Sequence, residues 1–189
     1  AFDNGPWPAT PPAERAAKVQ AMADWLKARH DQLAAAYTAQ MGALVTMAPF
    51  MIQTGTATLE RYAGYAAHYG WTAQRETSVP GKTAYVVREP VGVVAAIAPW
   101  NAPYAIMTQK IAPALVAGCT VIMKPSPETP LEAYFLAEAA EAVGLPAGVL
   151  NLVPSHREAA DYLVRSPLVD KISFTGSTVA GRRIASVAG

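Results

Sequence analysis

The chain reads as an α/β domain built on a doubly wound, Rossmann-like parallel sheet, preceded by two helices and an extended segment. Three observations carry that reading. Apolar runs begin at Val91, Thr120, Val149 and Lys171, spaced 29, 29 and 22 residues apart, which are the lengths of right-handed β-α-β crossovers. Each run is followed by a segment with helical periodicity. The first run, from Gly92 to Ala98, is apolar throughout and turns polar only at Pro99-Trp100-Asn101. A strand buried on both faces does this when it reaches the carboxyl edge of its sheet, where open α/β folds place their chemistry.

The elements follow in order. After a Gly/Pro-rich opening at Gly5-Pro6-Trp7-Pro8, Thr10 with Pro11 and Pro12 sets a helix start. Val19, Met22, Leu26, Leu33 and Tyr37 then recur at helical spacing up to Gly42, predicting one amphipathic helix. A second helix is predicted from about Pro49 to near Gly70, with Ile52, Leu59, Tyr62, Ala66 and Tyr69 on one face. Residues 77–94 read as extended chain, with a strand at 84–88 that Glu89-Pro90 punctuates. The later helices are predicted over about 104–117, 130–143, 157–165 and from 179 onward. The first residue is not methionine, and Ala185 to Gly189 look like the middle of a helix. Both ends are therefore expected to be cut.

Composition narrows the function classes. Lysine and arginine number 15 against 14 acidic residues, a formal charge of +1, and no basic stripe argues for nucleic acid or an anionic membrane. Apolar runs are broken well before the roughly 18–20 residues that span a bilayer, and no leader opens the chain. The single cysteine, Cys119, excludes an intrachain disulfide, which favours a cytoplasmic protein acting on small molecules. With no positive neighbour in sequence, Cys119 reads as a buried inert thiol rather than a nucleophile. His30, His68 and His156 lack metal-ligand spacing, and no Gly-x-Ser-x-Gly elbow is present, so neither a metal site nor a hydrolase is indicated.

Four motifs carry chemistry. Phe174-Thr175-Gly176-Ser177-Thr178-Val179-Ala180-Gly181 places a strand end and two glycines at a helix start, where free N–H groups and the positive helix end suit a phosphate. The same pattern also serves an ordinary turn capped by Ser177 or Thr178. The nucleoside-triphosphatase loop fails here, because Arg182 and Arg183 follow Gly181, and the Gly-x-Gly-x-x-Gly fingerprint is absent. A dinucleotide would have to bind in a non-standard way. Lys124, ending the run 121–124 ahead of Pro125-Ser126-Pro127, either donates to ribose hydroxyls or a phosphate or stands solvated. Asn101 offers two donors that can hold an oxyanion, and its bland role is to cap the helix near Pro103. Lys110, two turns on, is either a surface charge or reaches back toward Asn101.

Taken together, Glu89-Pro90-Val91-Gly92-Val93-Val94, Pro99-Trp100-Asn101-Ala102-Pro103, the segment Gly118 to Ser126, Leu145-Pro146-Ala147-Gly148-Val149-Leu150-Asn151 and Phe174-Thr175-Gly176-Ser177-Thr178 closely resemble the aldehyde dehydrogenase superfamily. Five motifs in order are far more specific than any one alone. The opening residues 2–8 and the helix containing Glu14-Arg15-Ala16 are similar too. The resemblance implies that Asn101 donates its amide to the oxyanion of a thiohemiacetal, with Lys110 coupled to it as the second catalytic residue. It implies that Ala98, Pro99 and Trp100 line the cofactor cleft beside Asn101. Lys124, with Ser126 and Pro127, would meet the adenosine ribose, and Gly176, Ser177 and Gly181 the pyrophosphate. The cofactor implied is NAD, with NADP as the alternative, because Pro127 stands where the family often has an acidic residue and Glu128 follows one place later. Ser155-His156-Arg157 also replaces a glycine-rich turn common beside the adenine.

The implied organisation is an N-terminal helical part over 1–76, an extended oligomerisation or bridging element over 77–90 and a Rossmann-like core over 91–189. The complete protein would be a dimer or tetramer that oxidises an aldehyde to a carboxylic acid. The family's nucleophilic cysteine and general-base glutamate lie beyond the matched motifs, and Cys119 does not match the nucleophile. The chain alone is therefore expected to be inactive. Ala102, Tyr104 and Ala105 contribute part of the substrate tunnel in that reading. Two rivals remain at this point: a non-catalytic nucleotide-binding or interaction module, and a phosphotransferase using the 176–181 turn.

Overall fold

The computed structural model describes residues 1–188. After a short 3-10 turn at Trp7–Ala9, the elements are α1 (Pro12–Lys27), α2 (His30–Met41), α3 (Ala48–Tyr65), β1 (Thr72–Glu76), β2 (Thr83–Val87), β3 (Val93–Ile97), α4 (Pro103–Ala117), β4 (Thr120–Lys124), α5 (Leu131–Ala142), β5 (Leu150–Leu152), α6 (Arg157–Arg165), β6 (Lys171–Phe174) and α7 (Thr178–Ala188).

The apolar run after Gly92 becomes the middle of the main sheet because it alone has no polar side chain to keep wet. Four parallel strands lie in the order β5-β4-β3-β6. From β3 the chain winds outward through β4 to β5, then crosses back to place β6 on the other side of β3. That reversal is the topological switch point, and it opens a crevice at the carboxyl ends of β3 and β6.

Right-handed crossovers put α4 and α5 on one face and α6 on the other. On the first face Val94, Ala96, Val121 and Met123 join a core with Leu115, Ile111, Met107 and Leu136, and α1, α2 and α3 add a second helical layer outside α4 and α5. Two contacts lock that layer. Arg15 of α1 is buried and donates from Nε to the Val116 carbonyl at 2.9 Å, closing the carboxyl end of α4 just before Gly118 turns with φ of 95°. Gly55 of α3 lies against the Tyr104 ring, where an added Cβ would sit 2.4 Å from a ring carbon. Tyr104 then pairs its hydroxyl with Thr56 at 2.9 Å.

Three sequence expectations change. The helix predicted up to Gly42 is two helices, because Arg29 leaves helical geometry with φ −115° and ψ 19°, its guanidinium stacked 3.5 Å from the Trp25 ring centroid. The chain turns there so that α2 can reach α5, a tertiary demand that no Gly or Pro announces. The next helix ends at Tyr65 rather than near Gly70. The strand read at 84–88 is β2, and it pairs antiparallel with a strand not predicted at all, β1, in the register Thr72↔Val87 to Glu76↔Thr83. Its sequence, TAQRE, is polar and almost wholly exposed, so no hydrophobic alternation marks it.

Candidate functional site

The pairing register decides which motifs meet. Ile97 is paired with Lys124 on one side and with Phe174 on the other, so the ends of β4, β3 and β6 stand in one row across the sheet. The segments that follow them, Pro125-Ser126, Ala98 to Asn101 and Thr175 to Ser177, leave from the same rim. Pleating puts Ile97, Lys124 and Phe174 on the α6/α7 face, opposite Ala96, Met123 and Ser173.

Lys124 is 7 % exposed as a whole residue, so its aliphatic stem is buried while its tip reaches the rim. Burial lowers its ammonium pKa, and the nearest carboxylate, Glu128, acts in the opposite sense. Its Nζ makes no hydrogen bond among the described residues and keeps contact with solvent at the rim. Ser126 donates to Glu128 Oε2, and that bond, ahead of its own backbone N–H, Lys124 and His156, holds the Glu128 carboxyl below the usual range. Pro127 is half-buried between them.

At the end of β3, Ala98 is buried and donates its N–H to the Lys124 carbonyl at 3.2 Å. Pro99 is half-buried, and Trp100 (57 % exposed) and Asn101 face outward. The cap of α4 is Ala102, with no side-chain cap bond. Asn101 therefore does not cap the helix: it lies one residue too early, and Pro103 and Tyr104 take the first turn. Its carboxamide makes no hydrogen bond among the described residues. Two buried hydroxyls instead hold the backbone here, Thr129 Oγ1 to the Trp100 carbonyl at 3.1 Å and Tyr37 to the Asn101 carbonyl at 3.4 Å.

Lys110 does not reach Asn101. It is half-buried on α4 and donates to Thr175 Oγ1 at 2.8 Å and Ser173 Oγ at 3.3 Å, with its pKa lowered by burial. It thus ties the helix that follows Asn101 to the end of β6, from the face opposite Lys124. In the turn, Ser177 Oγ accepts from the Ala180 N–H at 3.2 Å and so caps α7. Gly176 is required for space, since an added Cβ would sit 2.5 Å from the Phe174 ring, while Gly181 lies at an ordinary 3.5 Å from it.

Cys119 is buried just before β4, at the amino edge of the sheet. Five residue steps along the strand separate it from Lys124, about 16 Å at the usual rise. Among the described residues no group of three or more His, Cys, Asp or Glu side chains is arranged to hold a metal, and no helix is long and apolar enough to cross a membrane.

Sequence reasoning located the rim but missed what holds it. Tyr37 was visible only as one apolar position of a helix, and Thr129 only as part of a Pro-rich turn. Gly55, a glycine inside a predicted helix, marks the close approach of α3 to Tyr104, while Gly64 in the same predicted helix meets nothing within 4 Å, and neither pointed to Tyr37 or Thr129.

The profile of the aldehyde dehydrogenase family matches residues 1–189. A geranial dehydrogenase from Castellaniella defragrans is 46% identical over 171 residues, covering 90% of this chain and 36% of the relative. A phenylacetaldehyde dehydrogenase from Pseudomonas fluorescens is 45% identical, covering 97% and 38%. The crystal structure of a Mycobacterium tuberculosis aldehyde dehydrogenase complexed with NAD+ superposes with a TM-score of 0.92 at 43% identity, covering all of this chain and 39% of that one. An NAD-dependent aldehyde dehydrogenase from Sinorhizobium meliloti gives 0.95 at 35% identity. The chain thus spans less than two fifths of the length of the curated relatives it matches, and with its Rossmann-like sheet and rim motifs it belongs to the aldehyde dehydrogenase family.

Proposed function

We propose that the chain is the cofactor-binding part of an NAD-dependent aldehyde dehydrogenase, and that it supplies the side-chain half of the oxyanion hole. The observation that carries this reading is the shared rim: Lys124, Trp100-Asn101 and the Gly176–Gly181 turn flank one crevice at the switch point of the sheet. These residues fit a dinucleotide. The Lys124 ammonium, unpaired among the described residues and open at the rim, suits ribose hydroxyls. The open start of α7, with Ser177 as its cap, suits a pyrophosphate, and the exposed Trp100 indole offers an apolar wall. Bound NAD+ would supply the hydride acceptor.

Asn101 does the work that belongs to this chain's own chemistry. When a thiolate adds to the aldehyde carbonyl, negative charge gathers on oxygen, and the free Asn101 carboxamide donates to it. The thiolate cannot be Cys119, which lies at the far edge of the sheet. It and the base that activates water would come from the rest of the enzyme, which the relatives' lengths indicate is the larger part. The carboxylate of Glu128, held toward Lys124 by Ser126, favours NAD over NADP, because it would repel a 2′-phosphate. We place the enzyme in the cytoplasm as a dimer or tetramer, with residues 77–90 in the bridging element.

The test separates the two halves of the site in the full-length enzyme, with aldehyde-dependent NADH formation and NAD+ titration as readouts. Asn101→Ala lowers kcat by about a hundredfold or more and leaves NAD+ affinity nearly unchanged. Lys124→Ala weakens NAD+ binding about tenfold and leaves kcat at saturating cofactor within a few-fold. NAD+ binding with no turnover of any aldehyde would favour a non-catalytic binding module instead.

A further inference from the structure

We propose that α2 is the positioning element for the oxyanion amide, with Tyr37 and Gln40 as positioning residues and Thr129 relaying the hold from α5. The inference rests on reading Asn101 as the oxyanion donor. Residues 98–102 lie in neither strand nor helix, and between the Ala98 N–H, bonded to the Lys124 carbonyl, and the Ala102 carbonyl, which accepts from Ile106, no backbone ladder fixes residues 99–101. The Asn101 side chain has no partner of its own among the described residues, so the direction of its Cα–Cβ bond is set by its backbone and its amide then takes one of the few staggered rotamers open from there.

That backbone is held at two successive carbonyls. Thr129 Oγ1 takes the Trp100 carbonyl at 3.1 Å, and the Tyr37 hydroxyl takes the Asn101 carbonyl at 3.4 Å. Because peptide units are planar, fixing the carbonyls of Trp100 and Asn101 fixes the two planes on either side of the Asn101 Cα. Those planes determine where its Cβ points. Both donors are themselves almost fully buried, Tyr37 at 1 % and Thr129 at 2 % exposure, so breaking either bond would leave a buried hydroxyl without a partner.

Both holds trace back to one face of α2. Gln40, three residues after Tyr37 and therefore on the same side of the helix, grips the start of α5 with both ends of its amide. Its Oε1 accepts the Leu131 N–H at 3.0 Å, and its Nε2 donates to Glu132 Oε2. The first satisfies one of the donors that a helix start leaves orphaned. Thr129 sits two residues ahead of α5 and is placed by that grip. An element 60 residues away in sequence thus aims the amide from below, directly through Tyr37 and through α5 by way of Thr129.

The experiment uses the full-length enzyme with Thr129→Val, Tyr37→Phe, Thr129→Ser and Asn101→Ala, reading kcat, NAD+ affinity and thermal melting. Thr129→Val lowers kcat about tenfold and Tyr37→Phe about threefold, since a misaimed group of 1 Å already costs up to ~100-fold. NAD+ affinity stays unchanged, and Thr129→Ser, which keeps the hydroxyl, restores most of the rate. In the Asn101→Ala background Thr129→Val and Tyr37→Phe lower kcat no further, a non-additivity that a merely structural role would not produce. Tyr37→Phe keeps the ring in the core, so the test survives if Thr129→Val fails to fold. Retention of kcat within twofold in both variants, or an equal loss in the Asn101→Ala background, overturns the inference. If Asn101→Ala lowers kcat in the same experiment, the oxyanion reading stands without it; if Asn101→Ala leaves kcat intact, both are removed.

Discussion

The two faces of the sheet are built to different standards. On the α4/α5 face, five helices in two layers bury Trp7, Tyr37, Tyr104, Leu26, Leu59 and Met123 to 1 % exposure or less. On the other face α7 buries no residue and α6 only Val164, leaving Tyr162, Leu168 and Val179 about four-fifths exposed. The candidate site lies on the boundary. Asn101 is steered from the packed side, by Tyr37 and Thr129, whereas Lys124 and the 176–181 turn look out over the open side. On the proposed reading, the part that aims a donor is backed by a close-packed interior, and the part that meets a large ligand is left accessible.

Three stability measurements can break or sharpen that contrast. The largest effect belongs to Gly55→Ala, whose new methyl would sit 2.4 Å from a Tyr104 ring carbon inside a full interior. It should cost about 1–3 kcal/mol, read as a fall in Tm; a neutral result would mean that the packed side yields as readily as the open one.

Next comes the carboxyl of Glu132, buried at the start of α5 with Oε1 unpartnered and faced by Gln40 of α2 and by the hydroxyls of Tyr37 and Tyr104. Burial pushes its pKa up from 4.5 to about 7. The folded state therefore holds the proton more tightly than the unfolded state between those values, and stability falls as pH rises through that window. Glu132→Gln removes the titration. Relative to the wild type it should gain about 1–2 kcal/mol at pH 8, and the gain should vanish below about pH 4.5. Denaturant melts at several pH values would show a flat difference if the carboxyl were solvated.

The smallest effect is Gly181→Ala on the open side, where the added methyl meets the Phe174 ring at an ordinary 3.5 Å. Removing a helical glycine should raise stability by up to about 1 kcal/mol, opposite in sign to Gly55→Ala.

The same division explains what the sequence disclosed. The strands β3 and β4 and their rim residues were legible because burial demands a largely apolar run and the turn to polarity marks the edge, whereas β6, with Lys171 exposed and Ser173 inside it, was legible from its spacing and the Thr175-Gly176 turn that follows. The break between α1 and α2 was illegible, because Lys27-Ala28-Arg29-His30 contains nothing that opposes a helix, and the bend answers to packing against α5. β1 escaped because its polar residues pair with β2 through backbone groups alone. Lys110, two turns from Asn101, read as either a surface charge or a residue reaching back toward it, yet its partners are Ser173 and Thr175, 63 and 65 residues further along. Helical spacing tells which residues share a stripe; it says nothing of which distant strand lies beneath that stripe.

The row formed by Lys124, Ile97 and Phe174 acts as a ruler. Its ends are two interstrand steps apart, roughly 10 Å, and the gauge is set by amide ladders rather than by side chains. Mutational drift can therefore change how tightly a ligand is gripped at either end, but not the span between the grips.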